Sequence, residues 1–430
     1  MNLLTIQGIT RSWKMHVFNN RILWLIISLL AIVFLFLEVN RLGDFDIYYQ
    51  AAADLYNEIL IYDKLYGING EFKYFGSPTL TILMMPWTIL PKVLAASIWK
   101  ILGLISLVRI WHLIERFLAP LNSGRNRDKW ILITFLGMSF LLYTNFHQLQ
   151  FTIILLYLCL EGMHQIIHEK RNWLGAFLIG LGVIAKIGPI VLLPYLIYRG
   201  HFKGFLWTIF SMCLLVALPS IVFGVGQGSE MWIGWGSQLN PLSDLNVFDM
   251  NNEKNQGLSA WLSTLFIEGI GHSKANREVS RHIADLSPDS VKIIILMARI
   301  SLATMVLYFL RSLPFKKAQN DQYRFREISF LLLAIPLLFP QQRSYNFLFV
   351  MPAAAYLAYQ LVFYKPIKKS FRIKWILFFI AMLILNLELL LGEFRPYYWH
   401  FKTLIYATFI LLFLLVIMSP STEGRAQSLD

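Results

Sequence analysis

The chain has 430 residues, of which 57% are hydrophobic and only 15% are charged, and its mean hydropathy is +0.56. Soluble domains carry about a quarter charged residues, so this composition excludes a soluble globular protein and predicts a polytopic membrane protein. The formal net charge of +13 does not indicate nucleic-acid binding, because the basic residues lie mostly in short links between apolar runs, where membrane topology accounts for them.

Apolar runs of about 20 residues, each long enough to cross about 30 Å of hydrocarbon as a helix, recur along the chain. Basic residues precede the first run, Ile22 to Val39, so we expect a cytoplasmic amino terminus and an outer loop at residues 40–91. Within that loop, residues 47–66 repeat apolar and aromatic side chains at helical spacing, which predicts a helix lying in the membrane interface. Asp44 and Asp46 come just before this helix, at the membrane surface.

One later apolar stretch, residues 173–198, is interrupted at Lys186-Ile187-Gly188-Pro189 and has basic residues at both ends. We therefore expect a broken pair of shorter helices, with the lysine near the bend. A large outer loop is predicted at residues 224–290 and a polar cytoplasmic tail at 421–430. The whole pattern predicts an all-α, polytopic membrane helix bundle of about 10–12 transmembrane segments, forming a single domain over residues 1–420.

This topology brings polar side chains from distant parts of the chain to the outer end of the bundle. They are Asp44, Asp46, Tyr74, His147, Gln148, Gln150, Lys186, Asn255, Gln256, Arg343 and Tyr345. A carboxylate within hydrogen-bond reach of an acceptor hydroxyl can take its proton as a general base, and cations stabilise the charge that grows on a departing phosphate. A phosphate leaving group needs no separate acid, so one carboxylate is enough for an inverting glycosyl transfer, in contrast to the paired carboxylates of glycoside hydrolases.

Each of these side chains also has a purely structural interpretation. Asp44 and Asp46 could be capping acids at a helix start. Lys186 could neutralise carbonyls that the helix break leaves free, and Arg343 could cap a helix end or pair with an acid. The polar residues at 147–150 could be turn or packing residues. No single signal is specific, and their convergence depends on the predicted topology.

Several stretches resemble glycosyltransferase family 87, which belongs to the GT-C superfamily of polytopic transferases that use polyprenyl-phosphate sugars. DFDIYYQAAADLY at 44–56, with FKYFGSPTLTILMMPWTILP at 72–91, is similar to that family's first outer loop. HQLQ at 147–150 is similar to its Gly-Gln-x-Asn turn, and AKIGPIVLLP at 185–194 is similar to its Lys-x-x-Pro bend. NQGL at 255–258 is similar to its Asn-Gln-Ser-Leu stretch, and PQQRSYNFLFVMP at 340–352 is similar to its late outer turn.

The resemblance implies a GT-C fold, no bound metal or other cofactor, and a site facing the periplasm or exterior of the plasma (inner) membrane. Asp44 takes the position of the family's catalytic aspartate, with Asp46 beside it, and Lys186, Arg343 and Tyr345 are expected to hold the donor phosphate. The substrate-binding residues expected around them are Tyr74, His147, Gln148, Gln150, Asn255 and Gln256.

Three departures from the family pattern leave the sugar and the acceptor open. The first outer loop reads Tyr-Phe-Gly-Ser-Pro where the family often has Tyr-Pro-Pro or Tyr-Ser-Pro, and His147 replaces the glycine of Gly-Gln-x-Asn. The late turn has Arg343 and Tyr345 where mannosyltransferase members carry Trp and His. The fold expected from the resemblance does not depend on these positions.

We therefore expect an inverting hexosyltransferase that moves a sugar such as mannose from a polyprenyl-phosphate carrier to a hydroxyl of a lipid-linked or cell-surface glycan, with membrane lipids and no nucleic acid as partners. A transporter or flippase of lipid-linked saccharides would also have a dozen helices with a broken pair, but such proteins usually show related halves and need no carboxylate at the outer rim. A polymerase or ligase of surface polysaccharide would depend on arginine and histidine rather than on Asp44.

Overall fold

The computed structural model describes residues 38, 41–67, 70, 72–118, 124–240, 243, 248, 253–270, 279–310, 313–316, 318, 320–364 and 369–419. Over these residues the chain is almost entirely helical, which confirms the all-α fold class. Of the first apolar run, Ile22 to Val39, the structure describes Glu38 alone, and the tail at 421–430 also lies outside the described residues.

The described residues form seventeen α-helices and one two-stranded antiparallel sheet. The elements are α1 (Phe45–Tyr56), β1 (Leu65–Tyr66), β2 (Phe72–Lys73), α2 (Pro78–Met84), α3 (Lys92–Leu118), α4 (Gly124–Gly137), α5 (Ser139–His147), α6 (Thr152–Ile167), α7 (Asn172–Ala185), α8 (Leu192–Tyr198), α9 (Phe202–Phe223), α10 (Val225–Leu239), α11 (Leu258–Phe266), α12 (Pro288–Leu310), α13 (Asp321–Leu338), α14 (Met351–Phe363), α15 (Lys369–Leu390), α16 (Arg395–His400) and α17 (Leu404–Ile417). Short 3₁₀ helices lie at Met85–Ile89, Gly188–Val191, Ser344–Val350 and Gly392–Phe394.

The helix predicted over residues 47–66 is wrong at its carboxyl end, since α1 stops at Tyr56. The amide of Asn57 donates from its side chain to the carbonyl of Ala53 at 2.9 Å, and Glu58 takes a left-handed conformation with φ 60°. A left-handed residue just past the last turn is a common way for a helix to end. The apolar spacing in the sequence continues beyond Tyr56 because Tyr66, which belongs to β1, is also buried within the same loop.

The predicted break near Lys186 is confirmed. α7 ends at Ala185, Lys186 has extended backbone angles, and a 3₁₀ turn that contains Pro189 leads into α8. Proline has no backbone N–H and disfavours helical angles at the residue before it, so the helix is weakened at this point. α9 and α13, by contrast, continue through Pro219 and Pro336. The bend therefore places a lysine between two apolar helices.

Five helices among the described residues are long and apolar enough to span a membrane, and the number is seven if each of two bent helix pairs counts as one span. The bent pairs are Asn126–Gly137 with Ser139–His147, at 56°, and Gly392–His400 with Leu404–Ile417, at 67°. Three shorter apolar helices, Thr152–Ile167, Asn172–Ala185 and Gly188–Tyr198, fall below the required length. The predicted number of about 10–12 segments is larger because it also counted these shorter helices and the first apolar run as spans.

The centre of the bundle is α14, in which all residues from Met351 to Val362 are buried. α13 packs against α14 and contributes a second buried stretch. Two buried ion pairs tie further helices together: Arg109 Nε to Glu161 Oε2 at 2.7 Å, and the side chains of Arg199 and Glu327. This packing fixes the ends of the helices from which the polar turns project.

Candidate active site

The last turn of α5 and the residues that follow it, 144–150, are the scaffold of the candidate site. Its backbone folds back on itself, since the N–H of Gln150 donates to the carbonyl of Asn145 at 2.9 Å and Leu149 takes φ 46°. The carbonyl of Gln148 accepts a hydrogen bond from the backbone N–H of Asp44 at 2.8 Å. The turn therefore holds the start of the first outer loop by its main chain.

Gly43 lets the loop approach the turn so closely. Its φ is +50°, and a Cβ atom added there would lie 2.5 Å from the carbonyl carbon and oxygen of Gln148. Any other residue would meet both a strained backbone angle and a clash with backbone atoms that have no room to yield. The position of Asp44 thus depends on the glycine before it.

The carboxylate of Asp44 is half-buried, and its Oδ2 accepts a hydrogen bond from Nε2 of Gln150. Burial raises the pKa of Asp44 above its usual value, while the hydrogen bond from Gln150 and the positive charges of Arg343 and Lys186 oppose that rise. The two cations are thus close enough to act on Asp44. A carboxylate with a raised pKa is a stronger base than a fully solvated one.

Lys186 reaches the same region from the break between α7 and α8. Its Nζ donates to Oδ1 of Asn346 at 2.6 Å and lies 5.5 Å from the ring centroid of Tyr345. An ammonium group over an aromatic face is stabilised by the ring quadrupole. The late turn therefore supplies two of the contacts that hold this cation.

The late turn itself, residues 340–346, is fixed by the two residues predicted at 255 and 256. Oδ1 of Asn255 accepts from the N–H of Gln342 at 2.8 Å, and the N–H of Gln256 donates to the carbonyl of Gln342 at 2.7 Å. Asn255 and Gln256 are fully buried. These contacts are with the protein's own backbone, so they position Arg343 and Tyr345 from behind.

The scaffold turn and the late turn are also joined directly. Nδ2 of Asn145 donates to the carbonyl of Tyr345 at 3.0 Å, and the Thr152 hydroxyl lies 3.5 Å from Oδ1 of Asn346. Asn145 and Gln150 also line a small cavity of about 10 Å³, which has room for about one water molecule and none for a sugar.

Two predicted residues face other partners. Asp46 forms an ion pair with Lys92 at 2.7 Å and accepts from Nε2 of Gln50 at 2.8 Å. The ring of His147 lies 3.2 Å from the carboxylate of Glu38, measured from Nδ1. The structure therefore gathers Asp44, but not Asp46, with the two cations.

Tyr74 is fully buried among aromatic rings rather than presented to a ligand. Its hydroxyl accepts from Oγ1 of Thr81 at 2.9 Å, and its ring meets the ring of Tyr48 edge-on at 6.2 Å between centroids. Tyr48 in turn lies near Asp44, since burial first and the Asp44 charge second raise the pKa of Tyr48. Tyr48 therefore keeps its proton and can donate a hydrogen bond at the site.

The sequence analysis missed four residues of this arrangement: Gly43, Tyr48, Asn145 and Asn346. Asn145 and Asn346 lie inside two stretches already singled out as polar turns, and a polar amide beside an apolar run was the signal that could have identified them. Gly43 and Tyr48 carry no local signal, because their roles depend on contacts with distant backbone and side chains.

The assembled site holds one carboxylate within electrostatic reach of two cations, and amide and aromatic groups contact these charged side chains. The carboxylate can accept a proton, and the cations can stabilise negative charge. Among the residues that the structure describes, no three His, Cys, Asp or Glu side chains lie together as metal ligands would.

Comparison with known proteins gives one match. The sequence model of glycosyltransferase family 87 matches residues 74–340, which is more than half of the chain. The matched region includes Lys186, the turn at 144–150 and the pair Asn255 and Gln256, and it ends just before Arg343. No curated protein and no solved structure matches the chain.

Proposed function

The chain belongs to glycosyltransferase family 87, and from this premise we propose that it transfers a hexose from a polyprenyl-phosphate carrier to a hydroxyl of a lipid-linked or cell-surface glycan. The observation that carries the proposal is the half-buried carboxylate of Asp44, which is held by Gln150 and acted on by the charges of Lys186 and Arg343. A base and a pair of cations gathered at one site are what a direct displacement of phosphate by a hydroxyl needs.

The proposed reaction is a single displacement with inversion. The acceptor oxygen forms a bond to the anomeric carbon while the bond from that carbon to the phosphate oxygen breaks. The acceptor proton passes to the carboxylate of Asp44, and the electron pair of the broken bond stays on the phosphate. Lys186 and Arg343 stabilise the added negative charge, so the leaving group needs no proton.

The ring of Tyr345 supports this arrangement from the phosphate side. Tyr345 is two positions after Arg343 in sequence, and the ammonium of Lys186 lies over its face. Arg343 itself lies over the ring of Phe72, at 5.9 Å from its centroid, and so connects the late turn to the first outer loop. Gln148, Asn255 and Gln256 hold the two turns in place through backbone contacts.

The membrane setting supports both the lipid carrier and the outer location. Five to seven of the described helices can span a bilayer, and a donor that is itself anchored in the lipid can reach a site at the end of such a bundle. Basic residues in the links away from Asp44 favour a cytoplasmic location for those links, which leaves Asp44 on the periplasmic or exterior side.

The experiment is a donor panel with the full-length protein reconstituted in lipid nanodiscs. Polyprenyl-phosphate hexoses and the corresponding nucleotide sugars are each supplied with a lipid extract as acceptor, and the product's anomeric configuration is determined by NMR. We expect transfer from at least one polyprenyl-phosphate hexose, with inversion, and none from nucleotide sugars. Transfer from nucleotide sugars alone, or product with retained configuration, would contradict the proposal. Movement of a lipid-linked saccharide across liposomes without sugar transfer would identify a flippase instead.

A further inference from the structure

We propose that Asn346 is a positioning residue for the donor phosphate, because its side chain holds Lys186 and its backbone lies in the turn that carries Arg343. This inference rests on the proposed function. Asn346 is the third residue of the 3₁₀ helix Ser344–Val350 and is 3% exposed, so it does not line the open face of the site. Its effect on a ligand must therefore pass through the groups that it contacts.

The first of those groups is Lys186. Oδ1 of Asn346 accepts a hydrogen bond from Nζ of Lys186 at 2.6 Å, a short distance typical of a charge-assisted bond. Lysine has four rotatable side-chain bonds and no fixed donor direction, so an unheld ammonium loses entropy when it must order around a phosphate. A single acceptor fixes the ammonium and leaves it two further N–H donors.

The second group is Arg343. The backbone N–H of Asn346 donates to the carbonyl of Arg343 at 2.9 Å, which closes the turn that presents the guanidinium. The same residue therefore contributes to the spacing between a cation from the break after α7, which its side chain holds, and the turn that carries a second cation. These two cations are 157 positions apart in the chain, from Lys186 to Arg343 (343 − 186), so no local structure could set that spacing.

The Asn346 side chain is neutral, and this matters for the charge of the site. An aspartate at the same place would hold Lys186 equally well but would cancel its charge toward a phosphate. A neutral amide holds the lysine and leaves its full positive charge for the ligand. Thr152, whose hydroxyl is 3.5 Å from the same Oδ1, keeps the amide oriented toward Lys186.

The test is a double-mutant cycle on the affinity for polyprenyl phosphate without a sugar, measured with the full-length protein in nanodiscs. We expect Asn346→Ala to weaken binding about tenfold, as the loss of one charge-assisted hydrogen bond would. In the Lys186→Ala background, Asn346→Ala should have little further effect, since the group it positions is already gone. In transfer assays the same variant should raise KM for the donor and leave KM for the acceptor unchanged.

The matched control is Asn386→Ala, which removes a half-buried asparagine that joins α15 to the junction of α4 and α5. The Asn386 side chain accepts from Ser139 Oγ at 2.7 Å and donates to the carbonyl of Gly137 at 2.8 Å. It should lower thermal stability without changing the affinity for polyprenyl phosphate. If Asn346→Ala does not fold, Asn346→Asp serves in its place, and it should weaken binding at least as much by neutralising Lys186.

Three outcomes would overturn the inference while leaving the proposed function intact: unchanged affinity in the Asn346 variants, an equal loss in the presence and absence of Lys186, or a loss in Asn386→Ala as large as in Asn346→Ala. If the unmodified protein binds no polyprenyl phosphate and transfers no sugar from it, the proposed function fails and the inference fails with it.

Discussion

Nε2 of Gln150 donates a hydrogen bond to Oδ2 of Asp44, although 106 positions separate the two residues. The contact fixes one oxygen of the carboxylate and leaves the other for an acceptor hydroxyl. It also opposes the effect of burial on the pKa of Asp44. Gln150 therefore controls both the direction and the basicity of the proposed base.

The effect of Gln150 on the basicity of Asp44 predicts a pH dependence of sugar transfer. The base acts only when it is deprotonated, so kcat/KM is full above the pKa of Asp44 and falls as the pH drops through it. Because burial raises this pKa, the fall should begin at a higher pH than for an ordinary aspartate. In Gln150→Leu the stabilising hydrogen bond to the ionised form is lost, so the acidic limb of the pH profile should move to still higher pH.

Gln165→Leu is the control for that profile. Gln165 also donates from Nε2 to a buried carboxylate, Glu161, at 2.6 Å, but it lies on α6 away from Asp44. Its substitution should leave the acidic limb where it is. An unmoved limb in Gln150→Leu, or an equal shift in both variants, would show that Asp44 does not set the pH dependence.

Gly43→Ala should displace Asp44 without touching any charged group. The new Cβ would lie 2.5 Å from backbone atoms of Gln148, so the loop must move away from the turn. A shift of about 1 Å in a reacting group can lower a rate on the order of 10²-fold, and we expect a loss of that size in transfer activity with folded yield retained.

The control for Gly43 is Gly269→Ala, which has a similarly positive φ of +76° but no atom within 4 Å of an added Cβ. It shares the backbone strain and lacks the close approach. Activity that falls equally in both variants would assign the loss to strain rather than to the displacement of Asp44.

Asp46→Asn should retain transfer activity. Asp46 is paired with Lys92, and the two side chains are 15% and 35% exposed, so the pair is partly solvated. Such pairs stabilise a fold by at most about 1 kcal/mol. Lys92→Met should therefore lower the free energy of unfolding by a similarly small amount. Loss of activity in Asp46→Asn, with a normal melting temperature, would return Asp46 to the role of base.

The sidedness of the site is tested by cysteine labelling. Asp63, in the first outer loop, and Lys170, in a basic link, are both exposed. Cysteines introduced there in a Cys213→Ser background, with Cys159 buried, should react with an impermeant maleimide from opposite sides of the membrane. Labelling of both cysteines from the same side would contradict the proposed topology.

The sequence predicted the helical class and the break at Lys186 because both depend on local chemistry. Hydropathy marks the apolar helices, and the stretch 186–189 brings a lysine, a glycine and a proline together inside one of them. The carboxyl end of α1 was missed because the apolar period does not distinguish a helix from a loop whose aromatic side chains are also buried. Tyr66 follows the helical spacing but is buried as part of a strand.

The separation of Asp44 from Asp46 could not be predicted from their spacing alone. Residues two positions apart at a helix start point roughly 200° apart around the axis, so one can face the site while the other faces Lys92. Which of them faces the site depends on the contact with the turn at 144–150. The contacts of Asn145 with Tyr345 and of Lys186 with Asn346 join residues 200 and 160 positions apart, and no local pattern encodes them.

The most direct measurement is sugar transfer from polyprenyl-phosphate hexoses by Asp44→Asn, compared with the unmodified protein at matched folded yield. Asparagine keeps the shape of the side chain and removes its capacity to accept a proton. Since a positioned general base contributes about 10²–10⁴-fold to a rate, we predict a loss of that size with donor affinity retained. Full transfer activity in Asp44→Asn would contradict the assignment of Asp44 as the base and with it the proposed mechanism.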